Sequence, residues 1–75
     1  MEAAKFLDAK GFACPMPVVR TKKAMDGMAQ GEVLEIHTTD KGSIKDMAAW
    51  AASTGNELVK QTEEDGVYKF WIEKA

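Results

Sequence analysis

Two hydrophobic periods alternate along the chain, and the switches between them fall at stretches rich in glycine, proline and small polar residues. Ala4 to Ala9 reads as a short strand whose bulk comes from Phe6 and Leu7, ended by Gly11. From Pro15 to Ala29 the spacing lengthens: Val18, Thr21, Met25 and Met28 recur three and four residues apart, the stripe of a half-buried helix, with Arg20 and Lys23 on the opposite face. Gly31 stands where a C-cap residue free to adopt positive φ is expected. Glu32 to Thr38 alternates as a strand, Leu34 and Ile36 facing one way and Val33, Glu35 and His37 the other. Ser43 followed by Asp46 resembles a capping box, and the helix it opens is expected to run to about Thr54, stopping at Gly55. That helix should bury Ile44, Met47, Ala48 and Ala51, with Trp50 also in the core. Leu58 to Thr62 and Val67 to Glu73 read as two strands joined through Glu64-Asp65-Gly66, where Asp-Gly is a strong hairpin signal. In the last strand Tyr68, Phe70 and Ile72 alternate with Val67, Lys69 and Trp71.

The resulting order, β-α-β-α-β-β, predicts an α/β fold: a two-layer sandwich with a four-stranded mixed sheet and two helices on one face. The first two strands, joined through a helix, should be parallel with a right-handed crossover. Their carboxyl ends then share one edge of the sheet, where ligands of open α/β sheets usually bind. The loop containing residue 14 and the loop from Thr38 to Ser43 should therefore lie side by side.

Composition narrows the function. A chain of 75 residues is expected to form a single domain, residues 1–75, with a thin core, since a domain this small buries only about 60% of its unfolded surface. Ten basic against twelve acidic residues give a net charge of −2, which argues against direct binding of nucleic acid. No apolar run has the length of a membrane span, and Met1 to Asp8 lacks the pattern of a signal peptide. A single cysteine cannot form an internal disulfide, and one Cys with one His falls short of a metal ligand set, so neither a metal nor another cofactor is expected. An unpaired thiol suits a reducing compartment, and a cytoplasmic monomer is the expectation.

Chemistry therefore converges on Cys14. It precedes Pro15, Met16 and Pro17, and proline suits a first helical turn, where its missing N–H would have no partner. This places Cys14 at or next to an N-cap, where the helix dipole and open amides favour thiolate over thiol. Lys10, Arg20, Lys22 and Lys23 lie within a few residues, with Asp8 as the nearby acid. These cations either stabilise a thiolate, dock an acidic partner, or form an ordinary solvated helix face. A buried structural cysteine is the competing reading, but it would not need a proline-stiffened helix start. Asp8 is expected to cap backbone amides, and Gly11, Pro15 and Pro17 to shape the loop. His37 should point to the open face of the sheet rather than serve Cys14 as a base. In the polar loop Asp40-Lys41-Gly42-Ser43, Ser43 is expected to be a helix cap. Trp71 and Val67, with His37, mark the open face as an alternative contact surface, the reading of a non-catalytic interaction or regulatory module.

The run Leu7-Asp8-x-x-Gly11-x-x-Cys14-Pro15-x-Pro17 resembles the signature of the TusA/SirA-like sulfur-carrier family. The likeness extends by pattern through Gly31-Glu32, Asp46-Met47 and Gly55-Asn56-Glu57-Leu58. It implies the same βαβαββ fold. It also implies that Cys14 accepts a sulfane sulfur as a persulfide and hands it to another protein. The donor implied is a cysteine desulfurase or a rhodanese-like protein, and the acceptor a DsrE-like or similar relay protein. The chain departs from the best-known branch at Thr38-Thr39-Asp40-Lys41-Gly42-Ser43, where that branch is acidic and carries proline. Since the loop should adjoin Cys14, the departure bears on partner choice.

Overall fold

The computed structural model describes residues 3–13 and 15–75. Six elements follow in the expected order: β1 (Lys5–Ala9), α1 (Met16–Asp26), β2 (Val33–Thr38), α2 (Ser43–Thr54), β3 (Glu57–Glu64) and β4 (Val67–Glu73). The strands form one sheet of order β1-β2-β4-β3. β1 and β2 run parallel, with Leu7 opposite Ile36, whereas β2–β4 and β3–β4 are antiparallel. α1 packs on β1 and β2, α2 packs on β3 and β4, and the helices touch each other, giving two layers.

The core follows from the strand alternation. Leu34 and Ile36 of β2 and Phe70 and Ile72 of β4 are fully buried in the two central strands, beneath Met25, Met28 and Met47. Thr21, at an apolar-stripe position of α1, is equally buried. Its hydroxyl donates to the Pro17 carbonyl at 2.7 Å, which satisfies it within its own helix. The β3–β4 turn is the hairpin its sequence announces: Asp65 and Gly66 both take positive φ, 51° and 78°.

Four local expectations are corrected. α1 ends at Asp26 rather than Ala29, and Gly27, not Gly31, occupies the C-cap position. Gly31 does adopt positive φ, but in the turn into β2, where its N–H donates to the Lys74 carbonyl at 2.9 Å. The end of α1 is instead closed by Lys74, whose ammonium donates to the Met25 carbonyl at 2.8 Å. At α2 the capping box does not form: Gly42 is the N-cap residue and Ser43 is already helical. Ala48 is exposed, because the buried stripe of α2 runs through Ser43, Met47 and Ala51 and a methyl beyond its edge does not reach the sheet.

The open face also differs from expectation. Trp71 lies on it, paired with Glu35 of β2 and Lys60 of β3. Yet Trp71 is only 9% exposed, with the Lys60 ammonium 5.1 Å from the ring centroid. Val67 is half-buried. The exposed apolar patch anticipated around Trp71 and Val67 is therefore absent there. The exposed aromatic is Phe6 on the β1 edge, 53% exposed and edge-on to His37 at 4.7 Å. Among the described residues no helix is long and apolar enough to cross a membrane.

Candidate functional site

β1 delivers the chain to the sheet edge at Ala9, and the turn that follows is fixed by short-range bonds. The Asp8 carboxylate accepts the Lys10 N–H at 3.0 Å, the amide-capping role expected of it. Phe12 N–H donates to the Ala9 carbonyl at 3.3 Å. Gly11, between them, has φ +86°, a conformation that strains any residue carrying a Cβ. Its N–H donates to the Thr39 hydroxyl oxygen at 2.9 Å, in the loop after β2. The parallel pairing of β1 and β2 thus brings the two loops together, as the topology requires. Between them lies an open cleft of about 230 Å³ lined by Gly11, Phe12, Ala13, Thr39 and Asp40.

Cys14 lies outside the described residues, but its covalent neighbours bracket it. Ala13 lines the cleft, and Pro15 is the N-cap residue of α1. The helix start has the expected position but a smaller supply of amides than a generic one. Pro15 and Pro17 carry no N–H, and Met16 already donates to the Ala13 carbonyl at 2.9 Å. Pro17 does more than stiffen the loop: it is the fully buried residue of the first turn of α1.

The four cations do not converge. Lys10 reaches the helix-free side of the sheet, where it lines a groove with His37, Lys69, Val67, Glu64 and Asp65. Lys22 pairs with Asp26 at 3.2 Å on an exposed helix flank. Arg20 lies over the Phe12 ring, 4.1 Å from guanidinium carbon to centroid, which ties α1 to the cysteine loop two residues before Cys14. Arg20 and Lys23 share one exposed stripe of α1 with Met16 and Val19, each of these last two 39% exposed. No acidic residue occupies the first turn of α1.

The loop beside the cysteine rests on buried hydroxyls. Thr38 and Ser43 are fully buried with their side-chain oxygens 2.6 Å apart, and the Ser43 hydroxyl donates to the Asp40 carbonyl at 2.6 Å. Ser43 therefore braces the loop from inside and is not the cap expected of it. Gly42 N–H donates to the Asp40 carboxylate at 3.3 Å and tightens the same turn. His37 is on the open face as expected, 2.6 Å from the Glu35 carboxylate. Sequence reasoning placed Thr38 and Thr39 in the loop beside Cys14 but gave neither hydroxyl a role. A Thr-Thr pair closing a strand looks like ordinary β-branched filler, and the contact of Thr39 with Gly11 spans 28 residues.

The Sulfurtransferase TusA family model matches residues 5–74. A protein of Bacillus subtilis named putative sulfur carrier protein YrkI is 55% identical over 75 residues, covering the whole of both chains. The sulfur carrier protein TusA of Allochromatium vinosum is 48% identical over 69 residues, covering 92% of this chain and 91% of its own. Among solved structures, the SirA-like protein of Desulfitobacterium hafniense superposes with a TM-score of 0.81 at 30% identity, over 92% of this chain and 95% of that one.

Proposed function

Because the chain belongs to the TusA sulfurtransferase family, we propose that it is a sulfur carrier in which Cys14 accepts a sulfane sulfur as a persulfide and passes it to an acceptor protein. What supports this reading is that Ala13 lines the cleft and Pro15 is the N-cap residue of α1, the two residues joined in sequence by Cys14, in a family named for sulfur transfer. The Cys14 thiolate, having lost its proton to solvent, attacks the terminal sulfur of a persulfide on the donor. The donor's S–S bond breaks, the donor cysteine leaves as thiolate, and Cys14 becomes the persulfide. An acceptor thiolate then attacks that outer sulfur and releases Cys14 as thiolate. Both steps move one neutral sulfur atom, so no oxidant or reductant is consumed.

The α1 stripe supplies the surface for such exchange. Met16 and Val19 are apolar and exposed, Arg20 and Lys23 are cationic, and all four stand on the helix that begins after Cys14. A donor or acceptor presenting an apolar patch edged by carboxylates fits it. The alternative module reading, with binding through the open face, loses the Trp71 contact it was drawn from, since Trp71 is only 9% exposed, and rests instead on Phe6 beside His37.

The test is intact-mass spectrometry after incubation with a cysteine desulfurase and cysteine, with Cys14→Ala in parallel. The expected result is a gain of about 32 Da, one sulfur atom, on the wild type alone. If neither desulfurase nor thiosulfate with a rhodanese loads Cys14, the carrier reading is wrong.

A further inference from the structure

We propose that Thr39 is the positioning residue for Cys14, its hydroxyl holding the turn that presents the cysteine at the start of α1. The proposal rests on the reading of Cys14 as the sulfur-bearing residue. Gly11 lies beyond the end of β1, where its N–H has no partner in the β ladder. The Thr39 oxygen accepts it at 2.9 Å and joins two loops that no local contact would join. The residues on both sides of Thr39 are themselves hydrogen-bonded. β2 ends next to it at Thr38, whose buried hydroxyl meets Ser43, and Ser43 in turn holds the Asp40 carbonyl on the other side. Thr39 and Ala13 line the same cleft, and Ala13 is bonded directly to Cys14. Thr39 is itself exposed, so its side chain contributes little to the core, and the turn is what its hydroxyl serves.

Three proteins decide the matter: wild type, Thr39→Val, which keeps the shape without the hydroxyl, and Thr39→Ser, which keeps the hydroxyl. Each is assayed for sulfur loading from a cysteine desulfurase, for iodoacetamide alkylation of Cys14 across pH, and for its urea midpoint. One net hydrogen bond is worth about a fivefold population change, so loading kcat/KM of Thr39→Val should fall about fivefold. Its alkylation profile should change as well, since the turn that the Thr39 bond holds leads through Ala13 directly to Cys14. Thr39→Ser should restore both. The proposal is overturned if Thr39→Val loads and alkylates as wild type, or if serine fails to restore it. It is also overturned if loading falls only in step with the urea midpoint while the alkylation profile stays put. Should the wild type take up no sulfur, the carrier reading fails, and the alkylation arm still decides the role of Thr39.

Discussion

Replacing Ser43 by alanine removes a single oxygen from a residue that is 1% exposed, and the consequences can be worked bond by bond. The Asp40 carbonyl loses the hydroxyl at 2.6 Å but keeps the Ser43 N–H at 3.0 Å, so this loss is about 1 kcal/mol at most. Thr38 is hit harder. With the Ser43 hydroxyl donating to Asp40, the Thr38 hydroxyl is the donor across the 2.6 Å contact, and alanine leaves it buried without an acceptor. Such an orphan costs roughly 1–3 kcal/mol, giving about 2–3 kcal/mol in all, or about 10–20 °C in Tm for a domain of this size. Thr38→Val should cost only about 1 kcal/mol, because Ser43 still has Asp40 to donate to. The double variant has no orphan left, so it should be less damaging than the two singles summed, by about 1 kcal/mol. Urea denaturation followed by Trp50 and Trp71 fluorescence gives all four corners of the cycle, with m unchanged. Ser43→Asp separates this account from capping. A cap would tolerate aspartate, whereas a carboxylate forced against the Asp40 carbonyl should be worse than alanine. Strict additivity, or a Ser43→Asp protein as stable as wild type, refutes the reasoning.

Other outcomes follow from single contacts. Phe70→Ala, in the middle of the sheet, should cost about 3–5 kcal/mol and leave little native protein in a thermal melt. Gly55→Ala should cost about 1–2 kcal/mol in urea, all from its φ of +77°, since no atom lies within 4 Å of the added Cβ. Lys60→Ser should red-shift Trp71 emission and raise acrylamide quenching at a stability cost near 1 kcal/mol, because it removes the ammonium that lies 5.1 Å from the ring centroid. Arg20→Glu and Lys22→Glu change the net charge equally, yet only the first alters the exposed apolar-cationic stripe. Sulfur loading by a desulfurase should fall about tenfold for Arg20→Glu and by less than about threefold for Lys22→Glu.

The fold was legible because its signals are local and agree with one another. The alternation of Leu34 and Ile36 and of Phe70 and Ile72, the Asp65-Gly66 turn and the left-handed stop at Gly55 each name an element from its own residues. What the sequence hid depends on long-range geometry. The early end of α1 at Asp26 makes sense only once Lys74, from the far end of the chain, is seen to hold the Met25 carbonyl. Ser43 followed by Asp46 has the letters of a capping box, but the Thr38 hydroxyl competes for the serine and wins, drawing it inward. Trp71 on a helix-free face reads as exposed until the reach of Lys60 across a neighbouring strand is counted.

At the candidate site, nearness to Cys14 in sequence proved a poor guide to electrostatics. Lys10, four residues before it, faces the other side of the sheet, and Lys22 is engaged by Asp26, while Arg20 lies over Phe12 in the cysteine loop itself. The prolines that mark the helix start also withhold two of its amides, and the Met16 amide is already engaged. Direct amide donors at the start of α1 are thus few, and for the proposed carrier the field of the helix is what would favour an anion at residue 14. For the proposed carrier this balance has a use. A thiolate held too tightly is a poor nucleophile, since attacking power falls with pKa, and a persulfide clamped by several donors would be slow to surrender its outer sulfur. A site that must both take and give is served by moderate stabilisation and firm presentation, and firm presentation is what the bond from Gly11 to Thr39 supplies.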